Sequence, residues 1–322
     1  MERVVLFLRK KIEGQNSMEE LANSLKSAMP EIEILELPYY STSLIGMFKN
    51  GLYARKHQGS VNHIFSITEG YLSLFLSGKK IITVHDLYFR HFSIINRIAI
   101  RLLWILFPSF FTNEYTCISS NTLNRLLKIL PWIKKKCKLI YNPINDVFFQ
   151  SYECKNNTIP IVLHIGTALH KNLLKVIKSL SGIKCKLVII GRLFPDQQEC
   201  LKKYSIDYEN EYDISTKNLL DFYRRADIIS FPSSQEGFGM IVVEANAVGK
   251  PVIAGDIPVL HEIGGDAALY VNPNDISSIR TGFINIMENH DIRTHCIQQG
   301  YINANRFRLK NVAAQYRNLY YN

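Results

Sequence analysis

Phe231-Pro-Ser-Ser-Gln-Glu236-Gly237-Phe238-Gly239-Met240-Ile-Val-Val-Glu244-Ala-Asn-Ala-Val-Gly-Lys-Pro251 reads as a strand end, a loop with two glycines and an apolar helix opening near Met240. Backbone N–H groups in such a turn, together with the positive end of the helix dipole, make a place for phosphate. Glycine lets a ligand approach the main chain closely. Glu244 lies about 6 Å along the helix axis from Met240, comparable to the reach from a diphosphate to a ribose. Its two oxygens can accept from both ribose hydroxyls. Glu236 precedes the helix and is expected at the other end of the same ligand, where a sugar joined to the diphosphate would lie. Taken alone the two acids would be a loop carboxylate and a solvated helix residue; between Pro-Ser and Gly-Lys-Pro-Val-Ile they measure out a nucleotide sugar. The glycines are not a dinucleotide fingerprint, because Val242 stands where the third glycine belongs.

Outward from this segment, short β-branched and aliphatic runs alternate with helical patterns, which predicts α/β architecture built on parallel sheets. Strands are predicted at Val4–Leu8, Glu33–Leu37, Val61–Phe65, Lys80–Val84, Tyr115–Ile118 and Lys138–Tyr141, with helices at 17–28, 92–107 and 119–130. A polar stretch around Asn145–Thr158 lacks either period and is predicted to be an interdomain linker. Beyond it strands are predicted at Ile159–Ile165, Lys186–Ile190, Asp227–Phe231, Pro251–Ile253 and Ala267–Val271, with helices near 171–181, 215–225, 240–248, 275–289 and 305–320. Two α/β halves imply two open sheets, each with a ligand crevice at the carboxyl ends of its strands.

The 322 residues are 47% hydrophobic and 20% charged, which excludes disorder and a disulfide-stapled mini-protein. Six cysteines occur without a C-x-x-C pair or a His cluster at ligand spacing, so reduced thiols in a cytosol and no metal site are expected. The first apolar run is too short for a secretory signal, and the run Leu102–Phe111 is about half of what spans a bilayer. The net charge of +10 is uneven: residues 1–150 hold 19 Lys+Arg against 11 Asp+Glu. That excess suits an anionic lipid surface, a phosphorylated acceptor or a plain solvated face. No nucleic-acid motif accompanies it. The stretch Ile94–Phe111, with Arg97 and Arg101 beside Trp104, fits either an interfacial helix or one buried under the first sheet.

The acidic segment resembles the E-x7-E motif of GT-B glycosyltransferases of family 4, and the resemblance extends over most of the chain. Leu163-His-Ile-Gly166-Thr167-Ala-Leu-His-Lys171-Asn172 resembles that family's strand, glycine turn and Lys-Asn helix start. Leu187-Val-Ile-Ile-Gly191 resembles its next strand, and Leu219-Leu-Asp-Phe-Tyr223-Arg-Arg-Ala-Asp227 the helix leading into the motif. Thr83-Val-His85-Asp86 resembles its first-domain strand end. The resemblance implies a retaining enzyme with two Rossmann-like domains whose parallel sheets face each other across a cleft. It implies that His85 reaches the transferred sugar and that Lys171 pairs with the donor diphosphate. A lysine at a helix start is otherwise unfavourable unless an anion sits there. Many relatives have an arginine where Thr167 stands, so Arg192 or His170 would have to supply a second cation. The first-domain loop carries one glycine, Gly14, where many relatives have two.

Expected domains are an acceptor-side domain over 1–147, a nucleotide-sugar domain over 148–302 and a closing helix over 303–322 that crosses back. Expected catalytic residues are His85 and Glu236. Expected donor-binding residues are Gly14, Gly166, Thr167, Lys171, Arg192, Gly237, Phe238, Gly239, Met240 and Glu244. No Asp-x-Asp stands at a strand end, Asp207-Tyr-Glu209 being nearest, so activity without a metal cofactor is expected. Expected partners are a nucleotide-sugar donor, a glycan or lipid-linked acceptor and the anionic inner face of the cell membrane, with no nucleic acid. The reaction expected is transfer of a hexose in bacterial surface polysaccharide synthesis. A nucleotide-sugar epimerase, a silent nucleotide-sugar-binding protein and a two-carboxylate hydrolase remain as alternatives.

Overall fold

The computed structural model describes residues 2–11, 17–87, 101–150 and 157–322. The chain divides into two compact units, Met1–Pro143 with Leu309–Asn322, and Ile144–Arg308.

In the first unit, β1 (Val4–Leu8), β2 (Glu33–Glu36), β3 (Val61–Ile64), β4 (Lys79–Val84), β5 (Glu114–Cys117) and β6 (Cys137–Leu139) form one sheet in the order β2-β1-β3-β4-β5-β6. Every pair is parallel. Such strands are covered on both faces, which is why β1 can be an unbroken apolar run with all five residues buried. The order reverses between β1 and β3, and ligands of open α/β sheets bind at such a switch point. Helices α1 (Ser17–Ala28) and α2 (Leu44–His57) flank the sheet. A core of Phe7, Ile64, Tyr71, Ile82, Tyr115 and Leu126 fills the space between the layers.

The helix Leu309–Tyr321 belongs to this unit and is docked through a buried polar column. One imidazole nitrogen of His63, Nδ1, shares a hydrogen bond with the Tyr320 hydroxyl at 2.7 Å and the other, Nε2, with Thr83 Oγ1 at 2.6 Å. Thr83 continues to Thr116 at 2.6 Å. Burial and the neighbouring His85 pull the His63 pKa from 6.5 to about 3, so the ring is neutral and serves as donor and acceptor together.

In the second unit β7 (Ile161–Ile165), β8 (Lys186–Ile190), β9 (Tyr208–Glu211), β10 (Ile228–Phe231), β11 (Val252–Gly255) and β12 (Leu269–Val271) follow the order β12-β11-β10-β7-β8-β9, again all parallel. The reversal here lies between β7 and β10. The two passages of the chain between the units run side by side: Ile144 N–H donates to the Phe307 carbonyl at 3.0 Å, and Ile144 bridges to Arg308.

Several expectations need correcting. Residues 208–211 form an edge strand where none was predicted, and Asp207-Tyr-Glu209 falls at its amino end, away from any ligand crevice. There Glu209 is held by Arg225 at 2.9 Å and Lys186 at 3.1 Å. The described part of the 92–107 helix is a π-helical turn, Arg101–Leu106, leading into Phe107–Phe111. Trp104 and Ile105 are buried while Phe107, Phe110 and Phe111 are exposed, so this segment is core on one side only. Helix α2 and the helices Pro195–Lys203, Pro258–Gly264 and His290–Ala304 were not predicted at all.

Candidate functional site

The switch point of the second sheet carries the residues of interest on two loops. After β7 the chain turns at Gly166, whose φ is +93°, and a short 3-10 turn delivers Lys171. A Cβ at Gly166 would stand 3.1 Å from Lys171 Cγ, so the lysine stem lies directly across the glycine. After β10 the loop Pro232–Gly239 leads into the helix Met240–Val248. Gly239, at φ +112°, occupies the cap position and brings no side chain to that helix's first N–H groups. A Cβ there would meet Leu260 Cδ2 at 2.6 Å, and the positive φ would strain any other residue.

The two loops meet in an ion pair. Lys171 Nζ stands 2.7 Å from Glu236 Oε1, with the side chains only 17% and 12% exposed. The ammonium also lies 4.7 Å from the centre of the Phe231 ring at the end of β10. An incoming anion would therefore find a cation that is fixed in place and whose present partner is a carboxylate.

Four residues that the sequence did not nominate hold the parts of this site in place. Asn172 sits in the left-handed region at φ 62° and donates from Nδ2 to the carbonyls of Pro232 at 2.8 Å and Pro273 at 2.9 Å. The buried Ser233 donates to the His170 carbonyl at 3.0 Å, and Ser234 N–H donates to the same oxygen at 2.9 Å. The fourth is Tyr223, on the helix Thr216–Arg225, whose hydroxyl donates to Glu244 Oε2 at 2.8 Å. Tyr223 is fully buried and packs edge-on to Phe148 at 5.6 Å. Burial and the charge of Glu244 push its hydroxyl pKa far up, so it remains a donor. Only a contact across tens of residues assigns these roles; the sole sequence signal was the Lys-Asn pair itself.

Other nominated residues are placed differently. Thr167 donates from Oγ1 to the Arg192 carbonyl at 2.7 Å, and its own carbonyl accepts from Gln197, so it ties the β7 and β8 loops together. Arg192 turns to Asp213 at 2.6 Å and lies over the Tyr212 ring at 4.9 Å. It does not join Lys171. At His170, burial and the charge of Lys171 lower the pKa while Glu236 opposes them, which disfavours the cationic form. The ring of Phe238 packs against Phe307 in the core, leaving its main chain as the part able to meet a ligand. Gly237 precedes it on the loop, and Met240 is the first residue of the helix. Gly14 lies outside the described residues.

In the first unit His85 follows β4. Its Nε2 donates to the Phe65 carbonyl at the end of β3, 3.1 Å away, and its ring meets the Phe65 ring edge-on. Burial, with a smaller effect of Arg9, takes its pKa from 6.5 to about 4. The ring is thus neutral at neutral pH, with Nε2 carrying the proton. Among the described residues no three His, Cys, Asp or Glu side chains gather as a metal site, and no helix is long and apolar enough to cross a membrane.

Residues 151–302 match the family model described as glycosyl transferases group 1. The O-antigen chain mannosyltransferase RfbU of Salmonella typhimurium is 30% identical over 217 residues, 64% of this chain and 60% of that protein. O-antigen chain mannosyltransferase B of Escherichia coli is 30% identical over 107 residues, and the chain spans 28% of its length. Among solved structures, a sucrose-phosphate synthase of Thermosynechococcus elongatus superposes with a TM-score of 0.82 at 16% identity, covering 99% of this chain and 98% of that one. Anabaena HepE in complex with UDP-glucose gives 0.80 at 13% identity over 99% of both chains. These likenesses fix the fold as GT-B.

Proposed function

We propose that this chain, whose residues 151–302 carry a glycosyl transferases group 1 domain, is a retaining glycosyltransferase of bacterial surface polysaccharide synthesis. It moves a hexose from a nucleotide-sugar donor to a glycan or lipid-linked acceptor, and it works at the anionic inner face of the membrane without a metal cofactor. The observation that carries the reading is the Lys171–Glu236 pair at the β7/β10 switch point, beside a helix start capped only by glycine. Breaking the anomeric carbon–oxygen bond leaves negative charge on the diphosphate, and preorganised positive charge there is the main electrostatic requirement. Lys171 and the N–H groups at Met240 meet it once the diphosphate replaces Glu236 as the lysine's partner. Glu236 is then released to the hydroxyls of the transferred sugar.

Glu244, oriented by Tyr223, takes the ribose. His85 presents a neutral imidazole to the sugar and acts as a hydrogen-bonding group rather than a cation. In a front-face displacement the acceptor oxygen bonds to the anomeric carbon as the bond to the diphosphate breaks. The acceptor's proton passes to the leaving phosphate oxygen, so no protein base is required. Mannose donors are the first to test, because RfbU is named a mannosyltransferase.

The test is nucleoside diphosphate release from a panel of nucleotide sugars, with acceptor extract and a chelator present. Release that depends on acceptor and survives chelation is expected. Conversion of the donor to an isomer without acceptor would instead identify an epimerase, and binding without any release a silent receptor.

A further inference from the structure

Helix α2 is amphipathic the wrong way round for a helix packed on a sheet. Its inward face is made of Gly46, Met47, Asn50, Gly51 and Ala54. The approach on that side is so close that a Cβ on Gly51 would stand 2.6 Å from the Phe75 ring, and one on Gly46 2.5 Å from the Tyr40 carbonyl. The large apolar side chains point outward: Leu44 is 70% exposed, Ile45 71%, Phe48 57% and Leu52 49%. Exposed single leucines are ordinary, whereas four on one face of one helix form a patch that calls for a partner.

The surroundings of the patch are basic. Tyr39 and Tyr40, both exposed on the preceding loop, lie under Lys49 at 5.2 Å and Lys10 at 4.7 Å. The last turn adds Arg55, Lys56 and His57, and no Asp or Glu occurs between Glu36 and Glu69. Aliphatic and aromatic side chains rimmed by lysine and arginine are the composition of an interfacial helix that lies in a bilayer surface and attracts anionic headgroups. A second copy of the chain fits less well, because a two-fold contact would set Lys49, Arg55 and Lys56 against their own copies. In a parallel sheet the helix after a strand starts at the strands' carboxyl ends, so Leu44, Ile45 and Phe48 stand at the same end of the unit as His85.

We propose that the outward face of α2 is the surface by which this protein docks on an anionic bilayer, bringing the crevice end of the first unit to a lipid-linked acceptor. The docking deepens the proposed function, which already sets the enzyme at an anionic membrane, and its purpose rests on the glycosyltransferase reading; the face itself is read from the exposure and charge of α2.

The experiment is sedimentation of the full chain with vesicles of phosphatidylcholine alone or of an equal mixture with phosphatidylglycerol, at low and high salt. The wild type should bind the mixed vesicles, and salt should weaken it. The double variant Ile45→Ser/Phe48→Ser, whose changes are solvent-facing, should keep the wild-type melting curve and lose about tenfold or more in partitioning. Wild-type protein that ignores the vesicles, or a double variant that binds as well as wild type, overturns the proposal. So does binding that is lost instead with Phe110→Ser/Trp132→Ser, a stacked and exposed aromatic pair elsewhere among the described residues of this unit. A wild-type dimer that the α2 variant dissolves would assign the face to a second copy. Nucleoside diphosphate release measured without vesicles stands apart: it should be unchanged in the α2 variant, and its absence in the wild type would count against the proposed function only.

Discussion

Lys171 and Glu236, which are 65 residues apart on loops following different strands, neutralise each other at 2.7 Å where the second sheet reverses its order. Each side chain is the reason the other can be nearly buried, and in the proposed function each turns to the donor when it arrives. Removing one leaves a charge with its partner gone, which costs more than the pair contributes.

Lys171→Met should therefore lower both the melting temperature and donor turnover, the latter by about a hundredfold or more if the cation stabilises the leaving group. The double variant Lys171→Met/Glu236→Gln should recover much of the stability and none of the activity. Melting curves and nucleoside diphosphate release check this, and a double variant that regained turnover would refute the assigned roles.

Tyr223→Phe keeps the ring against Phe148 and deletes one hydrogen bond to Glu244. The expected stability loss is about 1 kcal/mol. Kinetically, with Glu244 on the ribose as proposed, the donor KM should rise with kcat little changed, because such an orienting contact would be made in ground and transition states alike. A fall in kcat at constant KM would place Glu244 at the reacting centre.

Asn172→Ala should loosen the two loops together. It removes the amide that holds Pro232 and Pro273 and puts a Cβ-bearing residue without a local hydrogen bond at φ 62°. A loss of about 2 kcal/mol is expected. Asn172→Gly should retain the backbone shape and still weaken donor binding, which isothermal titration with nucleoside diphosphate would measure.

The buried histidines set an acid limit on stability. His63 titrates at about 3, and His85 and His164 at about 4, all pulled down from 6.5 chiefly by burial. Above 6.5 they are neutral in both folded and unfolded chains. As the pH falls below 6.5, the unfolded chain binds protons that the folded one cannot, so each histidine removes up to about 1.4 kcal/mol per pH unit. Glu69, whose carboxyl is pushed up by burial, acts in the opposite sense and offsets part of the slope. Melting temperatures should drop between about pH 7 and pH 5, and His63→Gln should flatten the drop. A flat profile in the wild type would contradict this account.

The strand–helix alternation and the E-x7-E loop could be read from the sequence because each expresses a local period or a local turn. Strand β9 could not, since Tyr-Glu-Asn-Glu at a sheet edge shows no apolar pattern. Helix α2 escaped for a different reason: glycine and asparagine face the core while leucine, isoleucine and phenylalanine face outward, so a search for a buried stripe finds the wrong side. Within the site, Lys171, Glu236 and the glycines at 166 and 239 were legible from type and position. Their mutual pairing was not, nor was the diversion of Thr167 and Arg192 into bonds between neighbouring loops. Tyr223 and Asn172 act through partners remote in sequence, which a linear pattern cannot show.

The return of Leu309–Tyr321 to the first unit has a consequence during synthesis. A ribosome working from the amino terminus must complete the entire second unit before the helix that covers His63 and Thr83 has been made. The half begun first is thus finished last, and until residue 321 has emerged its sheet exposes a ring of hydrogen-bonding groups and the apolar ground around them. Nascent chains stalled before that point should be the ones that chaperones retain.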